Sequence, residues 1–320
     1  MPTIREDAIG RFLDAWRSEF DGHRVIVVED NPEPTFQLPG WVEHHAWDSI
    51  DRQLGPDSWI IPRRTDCVRS FGFLLAAREP CDLVITMDDD CYPEPGYAAG
   101  FVALVEAALA ATWPNDRWFS TVDVAPPRGF PYGLRTERVA TVVHHGTWSN
   151  VPDFDALTQA RLPGVRLAPA AGVARVPHRA YFPMCGMNLA FRPEMLGVMY
   201  FLLMGQDVAG NPWPYDRFGD IWNGIFVKRI VDHLGFAVSS GAPSVRHERA
   251  SSIEVNLRKE TPGYPVNEVL WQRVDAITLT ADSPAACYAE LADGLDMEGD
   301  YWTTLRRAMR TWAGLVPDRR

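Results

Sequence analysis

Apolar positions recur at helical spacing over residues 6–20, where Ile9, Phe12, Leu13, Trp16 and Phe20 share one face and predict an amphipathic helix. Val25 to Val28 is a β-branched run that ends in Glu29-Asp30-Asn31-Pro32, a strand with an acidic end followed by a turn. Residues 67–78 predict a helix with Asp66 as its N-cap. Residues 83–87 predict a strand buried on both faces, running straight into Asp88, Asp89 and Asp90. Further on, Tyr97 to Ala111 reads as an Ala-rich helix, Phe119 to Val124 as a strand, and Met195–Met204 and Ile221–Leu234 as helices. Phe236 to Ser239 reads as a short strand, and the pattern is helical from residue 264 to the end. The section from Pro126 to Pro183 is rich in Pro, Gly and Arg and reads as loops and short strands around a site. Helix and strand alternate over residues 1–250, which predicts an α/β layered domain with a mostly parallel sheet.

The acidic end of the 83–87 strand is the most informative chemistry in the chain. Open α/β sheets bind ligands beyond the carboxyl ends of their strands. Consecutive carboxylates repel one another there unless a cation sits among them, and hard oxygen ligands favour Mg²⁺ or Mn²⁺, ions that commonly hold phosphates. The competing reading is a solvated acidic turn. With 320 residues, 46% of them hydrophobic, the chain has material for one large core or a core with a satellite. A net charge of −11 argues against a non-specific grip on nucleic acid or anionic lipid. Lys228 and Lys259 are the only lysines, so arginine carries nearly all the positive charge; that suits bidentate phosphate contacts, and genome composition explains it equally well. The five cysteines form no CxxC pair and read as reduced thiols of a cytoplasmic protein. No signal peptide opens the chain, and the longest apolar run, Met195 to Gly205, is too short to span a bilayer. Burial is its simplest role and a partner surface the alternative.

Several other polar groups stand in apolar or glycine-marked settings. Arg63 and Arg64 follow Trp59-Ile60-Ile61-Pro62, and Arg69 lies on the next helix; each suits a phosphate, though for Arg64 an exposed solvating role is as good. Arg128 and Arg135 flank Gly-Phe-Pro-Tyr-Gly-Leu, either holding two guanidinium groups towards one anion or decorating a surface loop. The run from His145 to Asp155 mixes Trp148 and Phe154 with Asp153 and Asp155; rings that stack on a sugar are one reading, a packed loop with capping aspartates the simpler one. Asp220, before Ile221-Trp222, is a general base, a sugar-hydroxyl acceptor or a helix cap. His247 can complete a metal shell begun by the aspartates or serve a structural role.

Taken together, these segments resemble one family, the reversibly glycosylated polypeptides, also called UDP-arabinopyranose mutases. The resemblance runs through Pro2-Thr3-Ile4-Arg5, Leu54-Gly55-Pro56, Ile61-Pro62-Arg63, Asp88-Asp89-Asp90-Cys91 and Arg128-Gly129-Phe130-Pro131 with Leu134-Arg135. It continues through His145 to Gln159, the decapeptide Phe182 to Phe191, Asp220-Ile221-Trp222, Asp232-His233-Leu234-Gly235, Val255 to Glu260 and Cys287 to Leu291. The resemblance implies a GT-A glycosyltransferase-like fold over residues 1–262, with residues 263–320 as a helical extension packed on it. It implies a UDP-sugar substrate, Mn²⁺ or Mg²⁺ as cofactor, and Asp88, Asp89 and Asp90 as the metal and diphosphate site, with His247 as a late metal ligand. Arg128 matches the arginine tied to reversible glycosylation, Arg135 is its companion, and Asp220 completes the expected catalytic set. Thr3, Arg5, Asp30, Arg63, Arg69, Trp148, Asp155, Asn188 and Trp222 are the expected substrate-binding residues.

The implied reaction interconverts UDP-L-arabinopyranose and UDP-L-arabinofuranose. A transferase or UDP-sugar hydrolase on the same scaffold, or a self-glycosylated carrier that does not turn over, are the alternatives. Arg128 has two readings, a covalent acceptor or a pyrophosphate clamp, since a guanidinium with a pKa above about 12 is a poor nucleophile. Two departures stand out. Only Met1 precedes Pro2-Thr3-Ile4-Arg5, where the family has an apolar first strand, so the start is misassigned or the sheet lacks that strand. Gly219 stands where the family often has a second aspartate before Asp220. Assembly into a homo-oligomer through the 195–205 segment or the C-terminal helices is the weaker alternative to their burial in the monomer.

Overall fold

The structure, a computed structural model, describes residues 1–97, 100–248, 251–316 and 318. In chain order its elements are β1 (Pro2–Thr3), α1 (Glu6–Ala15), β2 (Val25–Glu29), β3 (Val42–His45), α2 (Trp47–Leu54), α3 (Ser70–Ala77), β4 (Val84–Met87), β5 (Cys91–Pro93), α4 (Phe101–Ala110) and β6 (Thr112–Pro114). They continue with β7 (Arg138–Asn150), α5 (Ala156–Arg161), β8 (Val173–Arg175), β9 (Asn188–Phe191), α6 (Gly219–His233), β10 (Ala237–His247), α7 (Ile253–Glu260), α8 (Tyr264–Asp275), α9 (Pro284–Gly294) and α10 (Asp300–Leu315). Two sheets result. One is three-stranded and all parallel, in the order β1-β2-β3. The other runs β4-β9-β7-β10-β5, with β6 on β7 and β8 on β10. It is mixed, not mostly parallel: β7 and β10 pair parallel, and its other pairings are antiparallel.

The mixed topology still does what a parallel sheet does for a site. Because β9 runs antiparallel to both β4 and β7, and β10 parallel to β7, the strands β4, β7 and β10 point the same way. Their carboxyl ends deliver Asp88–Asp90, Asn150–Asp153 and His247 to one edge of the sheet. The two-residue β1 pairs parallel with β2, and Thr3 Oγ1 reaches across to the second sheet by donating to Asp89 Oδ2 at 2.6 Å.

One apolar cluster joins α1 (Ile9, Phe12, Leu13, Trp16) to β2, Met87, Cys91 and α4. The larger one joins β7 and β9 to the 195–204 segment, α6 and the C-terminal helices. The 195–204 segment is buried throughout but is not the expected helix; only Pro193–Met195 makes a 3₁₀ turn. It is apolar all round because it is covered on every side, and its backbone finds partners elsewhere: Phe201 N–H donates to Ser70 Oγ at 3.0 Å and Leu202 N–H to Gly219 O at 3.4 Å. That burial removes it as an oligomer surface.

Other expectations are corrected as well. Phe119 to Val124 is not a strand, and Phe119 and Val124 are 86% and 95% exposed. The 67–78 helix begins as a 3₁₀ turn, Asp66–Arg69, capped by Thr65, whose side chain accepts from Cys67 N–H; Asp66 is not the cap. The helix expected over residues 97–111 spans Phe101–Ala110, residues 98 and 99 lying outside the described residues. The 6–20 helix stops at Ala15, with Trp16 anchored by its Nε1–H donating to Cys91 O at 2.8 Å. Where loops and short strands were expected, β7 runs for 13 residues through the middle of the sheet, and β10, predicted as Phe236–Ser239, runs for 11 residues, Ala237–His247. Among the described residues no helix is long and apolar enough to cross a membrane.

Candidate active site

The three consecutive aspartates do not converge; they fan out. Asp88 forms an ion pair with Arg69. Asp89 is almost wholly buried and turns back to Thr3 and to Arg5, which forks onto it and lies 3.5 Å from Asp90 as well. Asp90 faces His247, with Nε2 3.9 Å from Oδ1. The histidine's Nδ1 lies 2.9 Å from Val151 O. A carbonyl only accepts, so in the neutral ring Nδ1 carries the proton and Nε2 presents its lone pair towards Asp90.

Arg69 is the hub that fixes this edge. Its side chain is 1% exposed, and it donates to Thr86 Oγ1 at 3.0 Å, Gly186 O at 2.7 Å and Asp66 O at 3.2 Å besides pairing with Asp88. One guanidinium thus ties β4, the start of α3 and the 182–187 loop together. Burial favours its neutral form, but Asp88 and Asp66 outweigh that and hold its pKa above the ordinary value.

A second ring of acids surrounds the first. Asp220, in the first turn of α6, accepts from Gly186 N–H at 3.0 Å and from Ile221 N–H at 2.8 Å. Burial, then the charge of Asp66, push its carboxyl up to about 7. Asp90 is pushed up to about 6 by burial and then by Asp88. Asp66 and Asp153 are raised too, burial leading in both, and each also feels Asp88. Asp153 hydrogen-bonds Cys185, whose thiol burial pushes well up. Arg217 is the cation of this ring; it is held by Glu260 at 3.0 Å and senses Asp66 and Asp153. Asp66, Asp153, Cys185 and Arg217 were not among the expected site residues. Cys185 and Asp153 sit inside family-like runs, but nothing local says that they face Asp88.

Several expected residues serve the scaffold instead. Asp30 is 2% exposed and saturated by Trp47 Nε1–H at 2.7 Å, Thr65 N–H at 2.7 Å and Arg64 N–H at 3.1 Å, so it knots a turn and is not open to a base or ribose. Arg63 points into the protein, donating to Ile61 O at 2.7 Å and Asp51 at 3.0 Å. Asn188 donates to Thr147 O and Pro243 O, each at 2.9 Å, splicing β9 to β7 and β10. Trp222 is fully buried, stacked between Phe218 and Trp302 with ring centroids 5.4 and 5.6 Å away. Asp155 caps α5, accepting from Thr158 N–H at 3.0 Å, as the simpler reading had it. Trp148 is half-buried on β7, edge-on to His145 at 5.6 Å, with no partner for its Nε1–H. Arg128 and Arg135 do not share an anion-facing loop: Arg128 is exposed, while Arg135 stacks on Tyr132 at 3.9 Å.

The donor set discriminates among the expected metal ligands. Among the described residues no three histidine, cysteine or acidic groups form a ready-made shell. Asp88, 28% exposed at its side chain, Asp90 and the Nε2 lone pair of His247 are oxygen and imidazole donors suited to Mn²⁺ or Mg²⁺. Asp89 is committed to Arg5 and Thr3 and does not fit as a ligand.

A mixed α/β protein that gathers carboxylates, one imidazole and two buried or half-buried arginines at one sheet edge is suited to an anionic ligand carried on a cation. The chain belongs to the family described as reversibly glycosylated polypeptide, whose sequence profile matches residues 1–316. It is 34% identical over 331 residues to probable UDP-arabinopyranose mutase 1 of Pisum sativum, across 98% of this chain and 88% of that protein. It is 34% identical to UDP-arabinopyranose mutase 1 of Arabidopsis thaliana, across 98% of this chain and 89% of that one. UDP-arabinopyranose mutase 1 of Oryza sativa subsp. japonica is 33% identical over 336 residues.

Proposed function

We propose that this chain is a UDP-sugar mutase on a GT-A-like scaffold, interconverting UDP-L-arabinopyranose and UDP-L-arabinofuranose in the cytoplasm. The family membership and the names of its relatives support the reaction class. The observation that carries the site is the gathering of Asp88, Asp90, His247 and Arg69 at the carboxyl ends of β4 and β10. Mn²⁺ or Mg²⁺ held by Asp88, Asp90 and His247 would supply positive charge to the diphosphate. Arg5 and Arg69 keep the aspartates apart and fixed in orientation.

The sugar's anomeric carbon–oxygen bond to UDP breaks, a different hydroxyl bonds to that carbon, the old bond from it to the ring oxygen breaks, and the bond to UDP forms again, so the reaction is an isomerisation with no net proton change. Asp220, with its carboxyl near 7, takes the proton of the hydroxyl that closes the new ring and returns one to the oxygen of the old ring. The test is incubation with a panel of UDP-pentoses and UDP-hexoses, with and without Mn²⁺, followed by chromatography. A new furanose nucleotide that depends on Mn²⁺ is the expected result. Free UDP without it points to transfer or hydrolysis, and sugar bound to protein without turnover points to a carrier.

A further inference from the structure

A guanidinium carries five N–H donors in a rigid fork, and the arginines at the acidic edge differ in how many they have left. Arg69 has none. Its Nε–H donates to Asp66 O, one amino group to Thr86 Oγ1 and Gly186 O, and the other to Asp66 Oδ2 at 3.4 Å and to Asp88. Arg5 gives its Nε–H and one amino group to Asp89, and that amino group also approaches Asp90. Arg217 spends a single donor, its Nε–H on Glu260 Oε1 at 3.0 Å. Among the described residues its two amino groups have no hydrogen-bond partner, and Glu260 is its one ion-pair partner.

Backbone and neighbours hold Arg217 in that posture. Its φ of 68° lies in the left-handed region, which a residue with a β-carbon adopts at a cost and which clusters at functional sites. The next two residues are buried, and Gly219 has no room for a side chain, because an added Cβ would lie 2.2 Å from Cys67 Sγ. The chain thus enters α6 pressed against the 3₁₀ turn that leads into α3. Glu260, 5% exposed, also accepts from Ala156 N–H at 2.7 Å and from Tyr264 OH at 3.2 Å, which ties it to the first residues of α5 and α8. With Nε pinned to that carboxylate, the edge of the guanidinium that carries both amino groups is the free one. Asp66 and Asp153 are near enough to act on its charge, yet neither pairs with it, and its side chain is 35% exposed.

We propose that Arg217 grips the sugar-bearing phosphate of a nucleoside diphosphate through its two amino groups, a role that rests on the nucleotide-sugar reading above. Two N–H groups in one plane match two oxygens of a phosphoryl group. Negative charge cannot settle against Asp66, Asp153 and Asp220 without a counter-charge, and the arginines that border those acids are Arg69, already saturated, and Arg217. Arg217 stands three residues before Asp220, so one short run of chain carries both the hold on the phosphate and the carboxyl that handles the sugar's proton. In the proposed reaction UDP leaves and returns, and a forked contact keeps its terminal phosphate oriented while the sugar is detached.

The test is calorimetric titration with UDP in the presence of Mn²⁺, with UMP measured by competition against UDP. Arg217→Gln is expected to weaken UDP by about tenfold or more and UMP by less than about threefold, because UMP lacks the phosphate in question. Arg217→Lys keeps the charge and loses the fork; it is expected to bind UDP about threefold or more weakly than the native protein, with UMP unchanged. Near-ultraviolet circular dichroism establishes which variants fold, and if Arg217→Gln does not, Arg217→Lys carries the test alone. Native UDP affinity in a folded variant, or equal losses for UDP and UMP, overturns the role of Arg217 and leaves the nucleotide-sugar reading standing. Failure of both variants to fold assigns Arg217 to the scaffold and overturns it equally. A native protein that binds neither UDP nor UMP overturns both readings.

Discussion

At the scale of single residues, the carboxylates divide by what they touch. Asp89 answers to Arg5 and Thr3, while Asp90 faces His247. Asp90→Asn is therefore expected to weaken Mn²⁺ binding by about tenfold or more, measured by calorimetry. Asp89→Asn is expected to change it by less than about threefold while lowering stability, because the buried Asp89 side chain loses its charged hydrogen bonds to the half-exposed Arg5. Equal losses of Mn²⁺ affinity would remove the assignment of Asp88, Asp90 and His247 as the cation's donors. Asp220 gives a pH-dependent test. Its carboxyl is raised in the folded state to about 7 from an ordinary value of 3.8. Between those values the native protein holds a proton that the unfolded chain has released, so this group costs stability as pH rises through that window and the cost is constant above it. Asp220→Asn keeps an oxygen for Gly186 N–H and removes the charge. It should melt above the native protein at pH 8 in chelator, with the gap shrinking towards pH 5, while turnover falls by about a hundredfold or more. A melting gap that widens on acidification would contradict the burial of this charge. The place of Asp88 and Asp90 at a strand end was legible in the sequence because the apolar run 83–87 stops at them. Asp153, Asp66 and Arg217 were not, since their roles come from separate segments folded against Asp88. Trp222 and Asn188 were read as ligands because a motif records that a residue matters without recording whether it faces substrate or scaffold.

At the scale of elements, the sheet depends on one close approach. The Asn188 amide occupies the space where a side chain on Gly146 would begin: an added Cβ would meet Asn188 Nδ2 at 2.2 Å. That amide is held by Thr147 O and Pro243 O, so it cannot move without breaking the splice between β9, β7 and β10. Gly146→Ala is expected to cost about 2–4 kcal/mol by overpacking and the loss of buried hydrogen bonds. In combination with Asn188→Ala the two losses should sum to visibly more than the double variant shows, because the clash disappears with the amide. Denaturant melts of the four proteins measure the coupling; strict additivity would mean that Gly146 is needed for something other than Asn188. Elements with a clear period or a clean end, such as α1, β2, β4 and α6, were legible in the sequence. The 195–204 segment was not, because unbroken hydrophobicity reports burial and is silent on helix or coil. Nor was β7, whose His144, His145 and Ser149 are polar yet buried, so its pattern does not alternate.

At the scale of the whole molecule, the remaining question is whether the boundary near residue 262 separates two folding units. The packing argues for one. Trp302 stacks on Trp222, and Trp312 on Tyr200 at 5.3 Å. Tyr301 and Trp312 donate to the backbone of the buried 195–204 segment, at Leu203 O and Leu196 O, 3.0 and 3.1 Å away. Tyr288 OH donates to Asn223 Oδ1 at 3.1 Å in α6. Without residues 263–320, Trp222, Tyr200 and Phe226 lose one side of their cover and a coil segment without a helix of its own loses its lid. Truncating a single buried aromatic costs about 3–5 kcal/mol, so uncovering several approaches or exceeds the about 5–15 kcal/mol that holds a typical domain folded. The fragment 1–262 is therefore expected to lack native near-ultraviolet circular dichroism, and the full chain to melt in one calorimetric transition. A folded 1–262 fragment, or two separated transitions, would make the C-terminal helices an independent layer. The acidic edge would then owe its geometry to the sheet alone, instead of to α6 braced from behind by α8, α9 and α10.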